Sequence, residues 1–215
     1  MSCALCETRK EKRFCLAVHG RICPQCCGEQ REVSLDCPSE CVYLRQAREH
    51  ERPRPMNELD RKALFPSVNI EDAFLYQQEN LLLGLSFALA KSARADRSLM
   101  DQDLIAALTT LGTAYQTLTQ SGLHYETSAP RPAQQAVVEE VKKILEEFRQ
   151  VEQQHQGHSS LRDSDVLKGI VFLTRMAHGR TSGRPKSRAF VDFLFQQFPE
   201  KTAAAGEAGS RIIVP

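Results

Sequence analysis

Cys3-x-x-Cys6 and Cys23-x-x-Cys26 each hold two thiols at the spacing that turns neighbouring sulfurs toward one metal ion. Cys37-x-x-x-Cys41 does the same with one residue more, and Cys15 and Cys27 complete a set of eight, all within the first 41 residues. Eight thiolates are enough for two tetrahedral zinc sites. The order along the chain suggests interleaving, in which the first and third ligand pairs share one metal and the second and fourth share the other. Cys3, Cys6, Cys23 and Cys26 then form site one. Cys15, Cys37 and Cys41 belong to site two and need a fourth ligand, for which Cys27 and His19 are the candidates and His50 a weaker one. Consecutive Cα atoms lie only about 3.8 Å apart, so Cys26 and Cys27 can serve different metals only if the metals are close. Cys27 is favoured because it would leave no unused reactive thiol.

The metal reading rests on compartment as well as spacing. The opening Met1-Ser-Cys-Ala-Leu-Cys-Glu7 has no basic-then-apolar leader, so the expectation is a cytoplasmic protein whose thiols stay reduced. Disulfides need no Cys-x-x-Cys regularity, and the compact ferredoxin run of an iron–sulfur protein is missing. All-thiolate sites keep no position for water, so both zincs read as structural, with no catalytic residue among the cysteines.

The elements that must hold these residues differ sharply along the chain. The 215 residues are 41% hydrophobic with a formal net charge of +1, a globular composition with no global field to draw nucleic acid. Residues 1–43 form a cysteine-rich module with few large apolar side chains, so metal binding must supply much of its folding free energy. Residues 44–66 read as a linker, with a short helix at Leu44–Glu51 and then prolines that exclude a continuous one. Residues 67–199 have helical period, and 200–215 read as a flexible tail whose apolar end, Arg211-Ile-Ile-Val-Pro215, could dock on a partner.

The fold expected is a small zinc-stabilised N-terminal module followed by an all-α helical bundle of about five helices. The first runs from an Asn69 cap to about Ala95, and its Leu81–Phe87 centre is apolar all round. The second opens at Ser98 and Asp101, carries Leu104, Leu108, Leu111, Tyr115 and Leu118 inward, and ends at Gly122. The third spans about Ala133–His155, with Val137, Val141, Ile144, Phe148 and Val151 on one stripe and Gly157 beyond. Ser160-x-x-Asp163 resembles a capping box for the fourth, with Val166, Ile170, Leu173 and Ala177 inward, and the fifth follows Pro185. The longest apolar stretch, Leu81–Ala90, is too short for a membrane span.

The cysteine spacing resembles the B-box class of cross-braced zinc domains and, more distantly, MYND-type fingers; the B-box pattern implies His19 as the fourth ligand. The strings Ile22-Cys-Pro-Gln-Cys-Cys-Gly28-Glu-Gln-Arg31 and Cys37-Pro-Ser-Glu-Cys41-Val-Tyr-Leu44 are also similar to a family of uncharacterised bacterial zinc-finger proteins. That family carries Ile-Cys-Pro-x-Cys-Cys-Gly and Cys-Pro-x-x-Cys-x-Tyr-Leu. The resemblance continues at Gly122-Leu-His-Tyr-Glu126 and Ala133-Gln134 and covers about half the chain. It implies an architecture, no activity, and Cys27 rather than His19.

Charge weighs on what is bound. Residues 1–42 hold six basic and six acidic side chains, and each Zn(Cys)4 centre adds about two negative charges, so the module is a poor ligand for phosphates. Arg9-Lys10-Glu-Lys12-Arg13 is a weak basic knuckle. The stretch His178–Arg188, with Arg180, Arg184, Lys186 and Arg188, is the better place for a phosphate or an acidic partner. Glu152-x-x-His155 is half a di-iron motif without its mate, and His124-Tyr125-Glu126 is a polar group beside a helix end. The expected function is a protein-interaction or regulatory adaptor, not an enzyme. A nucleic-acid-binding regulator using residues 178–188 is the first alternative, and an enzyme with its site around His124 and Glu126 the second.

Overall fold

A computed structural model of the chain describes residues 1–51, 64–124 and 126–200, the side chains of His155 and Gln156 excepted. The tail from residue 201 and the prolines Pro53 and Pro55 of the expected linker lie outside those residues.

The cysteine-rich segment is built on a two-stranded antiparallel hairpin, β1 (Arg13–Cys15) and β2 (Gly20–Ile22), in the register Arg13↔Ile22, Phe14↔Arg21 and Cys15↔Gly20. Helix α1 (Pro24–Gln30) follows directly. Pro24 occupies its first turn, where a missing N–H leaves nothing unpaired, and the Cys23 sulfur caps it. Helix α2 (Val42–His50) begins at Cys41, matching the short helix expected there. Besides cysteines, only Ile22 and Leu35 are fully committed to this segment's core cluster. Apolar cores this small commonly rely on a covalent or metal staple.

The remaining helices are α3 (Asp72–Gln77), α4 (Glu79–Ala95), α5 (Asp101–Ser121), α6 (Pro132–Gln156), α7 (Asp163–Arg180) and α8 (Ala189–Gln197). The described residues thus hold six helices after position 66 and eight altogether, more than the five expected of the bundle. The extra one arises because the expected 69–95 helix starts later, after Glu71, and breaks at Gln78 (φ −112°, ψ 28°). The break turns Phe74 inward, beneath the Lys168 ammonium of α7 at 5.4 Å from its ring centre. Nor is α4 buried all round: Leu81, Leu85 and Leu89 are inside, while Leu83 and Phe87 face out.

Two helix ends fall where glycine decides them. Gly122 (φ 69°) and Gly157 (φ 76°) take the left-handed conformation and end α5 and α6. The Ser160–Asp163 capping box does not form. Ser159 Oγ, Ser160 Oγ and the Ser160 and Leu161 N–H groups all donate to the Glu152 carboxylate of α6 instead. Ser98 likewise closes on Asp96 and does not cap α5. Asp101, fully buried, caps a different helix: it accepts from Ser187 Oγ at 2.7 Å and from the Phe190 and Val191 N–H groups at 3.1 Å, holding the start of α8.

The bundle core joins Leu104, Leu108 and Leu111 of α5, Val137, Val138, Val141 and Leu145 of α6, Ile170 and Leu173 of α7, and Phe190 and Leu194 of α8 around α4. Val151, expected inward, is exposed; Val138 and Leu145 fill the core instead. Segment 64–68 is fastened to α7 by Arg175, which donates to the carbonyls of Leu64, Phe65 and Val68 at 2.8–3.0 Å. Phe65 lies so close to α5 that a Cβ on Gly112 would stand 2.6 Å from its ring. No described helix is long and apolar enough to cross a membrane.

Candidate metal centre

The hairpin brings two cysteine pairs from distant positions to one point. Cys3 and Cys6 lie on a knuckle strapped to β2, with Ala4 N–H donating to Arg21 O and Cys3 N–H to Arg9 O. Cys23 and Cys26 occupy the cap and first turn of α1, which starts where β2 ends. The sulfurs of Cys3, Cys6, Cys23 and Cys26 all lie within 4.8 Å of one another, the one such group among the described residues. Four thiols this close can hold a metal ion, and their composition suits zinc.

Backbone N–H groups and one guanidinium surround these sulfurs. Cys23 N–H donates to Cys3 Sγ at 3.1 Å, Cys26 N–H to Cys23 Sγ at 3.4 Å, and Leu5 N–H to Cys3 Sγ at 3.5 Å. Arg9 places Nη1 at 3.9 Å from both Cys23 and Cys26 sulfurs. The Thr8 hydroxyl, with the Arg9 and Thr8 N–H groups, lowers the Cys6 pKa to about 5. Burial, and the hydrogen bonds Cys26 makes as a thiol to its neighbours, push Cys26 up to about 12. Arg9 and Thr8 were not visible as supporting residues in the sequence; a basic residue three places after a ligand is too common to signal anything.

The other four cysteines converge separately. Cys15 ends β1, Cys27 sits inside α1, and Cys37 and Cys41 flank the turn into α2. All four line one small, apolar-walled cavity of about 10 Å³, with Ile22, Leu35 and Leu44 around it. Cys15 and Cys41 raise the Cys37 pKa by their charge, after burial, which is the larger cause. Cys26 thus belongs to the tetrad and its neighbour Cys27 to the lining of the separate cavity. His19 is not in that lining. It sits on the exposed hairpin turn with φ 48°, and His50 is exposed at the end of α2.

The basic stretch 178–188 is engaged with the cysteine-rich segment. Arg184 Nη1 donates to Gly28 O and Arg31 O at 2.9 and 2.7 Å, satisfying orphan carbonyls at the end of α1. Lys186 reaches Ser34 O through Nζ and Glu32 O through its N–H. Glu32, 1% exposed and at φ 53°, extends its carboxylate toward the bundle and accepts from Ser182 Oγ and Arg48 Nη2, both at 2.9 Å. Arg48 also bridges to Asp192 of α8 at 2.6 Å. Burial opposes the Arg48 charge, but Asp192 and Glu32 outweigh it and hold the guanidinium pKa above its ordinary value. Arg188 donates to Arg97 O, and Arg180 stacks on Phe193 at 3.7 Å. In the Arg9–Arg13 knuckle, Arg13 lies over Tyr43 at 4.7 Å.

The polar residues of the bundle are dispersed. Glu152 serves the turn before α7, and the His155 side chain lies outside the described residues. His124 edges a cavity between α5 and α6, whereas Glu126 lines a different surface depression with Thr109 and Thr113. No family model matches the chain, and no curated protein or solved structure matches it.

Proposed function

We propose that the chain is an intracellular, cytoplasmic adaptor whose N-terminal module is held by two closed, structural zinc ions and presents a protein-binding surface. One zinc would sit in the Cys3, Cys6, Cys23 and Cys26 tetrad, the other between Cys15, Cys27, Cys37 and Cys41. The observation that carries this is the division of all eight cysteines into two sets of four, one mutually within 4.8 Å and the other around a single small cavity. Four thiolates per ion leave no open coordination position, which fits support and not water activation. The motifs shared with the bacterial zinc-finger family support the same ligand set.

The adaptor reading draws on what the module leaves uncovered. Phe14 is 50% exposed on the outer face of β1, with Leu16 and Leu5 also exposed in the same small segment. Apolar side chains on so small a unit are costly unless something covers them. The nucleic-acid reading is weakened by the docking of Arg184 and Lys186 on module carbonyls, which removes two of the four cations it needed.

Metal analysis of protein purified under reducing conditions should give about two zincs per chain. Cys27→Ser should drop the count to about one and His19→Ala should leave it unchanged; the reverse pattern would exchange the ligand. For the adaptor role, proteins retained from the native host by the wild type should be lost by Phe14→Ser/Leu16→Ser. Equal retention by both would remove this surface from the proposal.

A further inference from the structure

The two sets of thiols are unequally placed with respect to the bundle. Among the described residues, the hydrogen bonds from the module to α7, α8 and the turn between them start at Gly28, Arg31, Glu32, Ser34, Ser39 and Arg48. All six lie on the stretch that carries Cys27, Cys37 and Cys41. Gly28 follows Cys27 on α1, Ser39 lies between Cys37 and Cys41, and Arg48 belongs to α2, which Cys41 begins. Ser39 Oγ donates to Asp192 of α8 at 2.6 Å, so the loop between two thiols of the second set touches the bundle itself. The tetrad has no such reach. Its sulfurs accept from Leu5, Arg9, Cys23 and Cys26, all inside the module.

Glu32 joins the second set to the bundle directly. Its φ of 53° is a left-handed conformation that an L side chain keeps only where its surroundings enforce it. On one side, burial raises the Cys37 pKa and the Glu32 N–H works against it, which sets the Glu32 backbone against that thiol. On the other side, its carbonyl accepts from the Lys186 N–H at 2.8 Å and its carboxylate from Ser182 Oγ and Arg48 Nη2.

We propose that the second set, Cys15, Cys27, Cys37 and Cys41, is a zinc-operated latch: an ion held there fastens the module onto α7 and α8, and its loss frees the module while the tetrad keeps its own ion. The latch rests on the two-zinc reading. The four thiols come from β1, α1 and the turn into α2, and the apolar side chains among them are few, chiefly Ile22, Leu35 and Leu44. A shared ion is what fixes the end of α1, Glu32 and α2 relative to one another, as the junction bonds require. By linkage the effect runs both ways: if zinc favours docking, docking raises the affinity for that zinc by the same factor.

The test follows amide hydrogen exchange by NMR in the full-length, zinc-loaded protein, with the metal counted in each variant. Cys37→Ser/Cys41→Ser should hold one zinc and speed exchange of the Lys186 N–H by roughly tenfold or more, while Leu104–Leu111 of α5 exchange as in the wild type. Cys3→Ser/Cys6→Ser should also hold one zinc, yet keep the Lys186 protection. In that second background, Arg184→Met, a change outside the module, should weaken zinc binding roughly tenfold in competition with a chelator. Equal loss of Lys186 protection in both double variants, unchanged protection in Cys37→Ser/Cys41→Ser, or a zinc affinity indifferent to Arg184→Met would each overturn the latch and leave the two-zinc reading standing. A wild-type count of one zinc would overturn both.

Discussion

Replacing Arg48 by methionine isolates the electrostatics of the junction between the cysteine module and the helices. Methionine keeps the aliphatic stem that packs between α2 and α8 and removes only the guanidinium. Glu32, 1% exposed, would then keep Ser182 Oγ as its sole side-chain donor, and Asp192 would keep Ser39 Oγ at 2.6 Å. Removing one partner of a buried ion pair leaves an uncompensated charge, which costs about 3–5 kcal/mol. Adding Glu32→Gln removes that charge, so the double variant should lie only about 1–2 kcal/mol below wild type, the scale of the lost hydrogen bonds. The assay is urea unfolding at saturating zinc, followed by circular dichroism, at low and high salt. Because the pair is shielded from solvent, salt should change the difference little. A loss below about 1 kcal/mol for Arg48→Met, or no recovery in the double variant, would refute a buried, mutually dependent pair and reduce it to a surface contact.

Further outcomes follow from the packing and the thiols. Gly112→Ala should destabilise by about 1–3 kcal/mol in thermal unfolding, since its Cβ would meet the Phe65 ring at 2.6 Å. Gly84→Ala should stabilise by about 0.5–1 kcal/mol, because its nearest contact is an ordinary 3.5 Å to Ile144 and helix propensity then decides. Asp101→Ala strips acceptors from Ser187, Phe190 and Val191 and should cost about 3 kcal/mol, with amide exchange rising first at the start of α8. Zinc loading of the reduced apoprotein at pH 7 should release protons, measurable by calorimetry in buffers of different ionisation enthalpy. Cys26, pushed up to about 12, holds its proton there until metal displaces it. Affinity should fall with falling pH and collapse near pH 5, where Cys6 also protonates.

The cysteine tetrad was readable because metal coordination imposes a spacing that survives any fold: Cys3, Cys6, Cys23 and Cys26 are grouped by arithmetic alone. Helix stops at Gly122 and Gly157 were equally plain, since φ near +70° admits few other residues. Caps made by Ser and Asn were not. Ser98, Ser160 and Asn69 had local partners in view, but the competing acceptor at Glu152 and the break at Gln78 depend on how α3, α6 and α7 meet. What the basic stretch 178–188 touches was hidden from the sequence for the same reason. Four cations on a loop look available to any anion, and only the docked structure reveals that the orphan carbonyls of α1 claim Arg184. Glu32 gave no signal at all, being one acidic residue among six in the module.

The distance along the chain between the two halves of that docking has a consequence for synthesis. Arg31 and Arg184 are 153 positions apart, so the segment that fastens onto the cysteine module is translated long after the module itself. At about 5–20 residues per second the interval is on the order of 8–30 s. Throughout it the cysteine knuckle would wait on the ribosome with Glu32 and the end of α1 facing water, so the last helices to emerge complete a fold begun by the first cysteines.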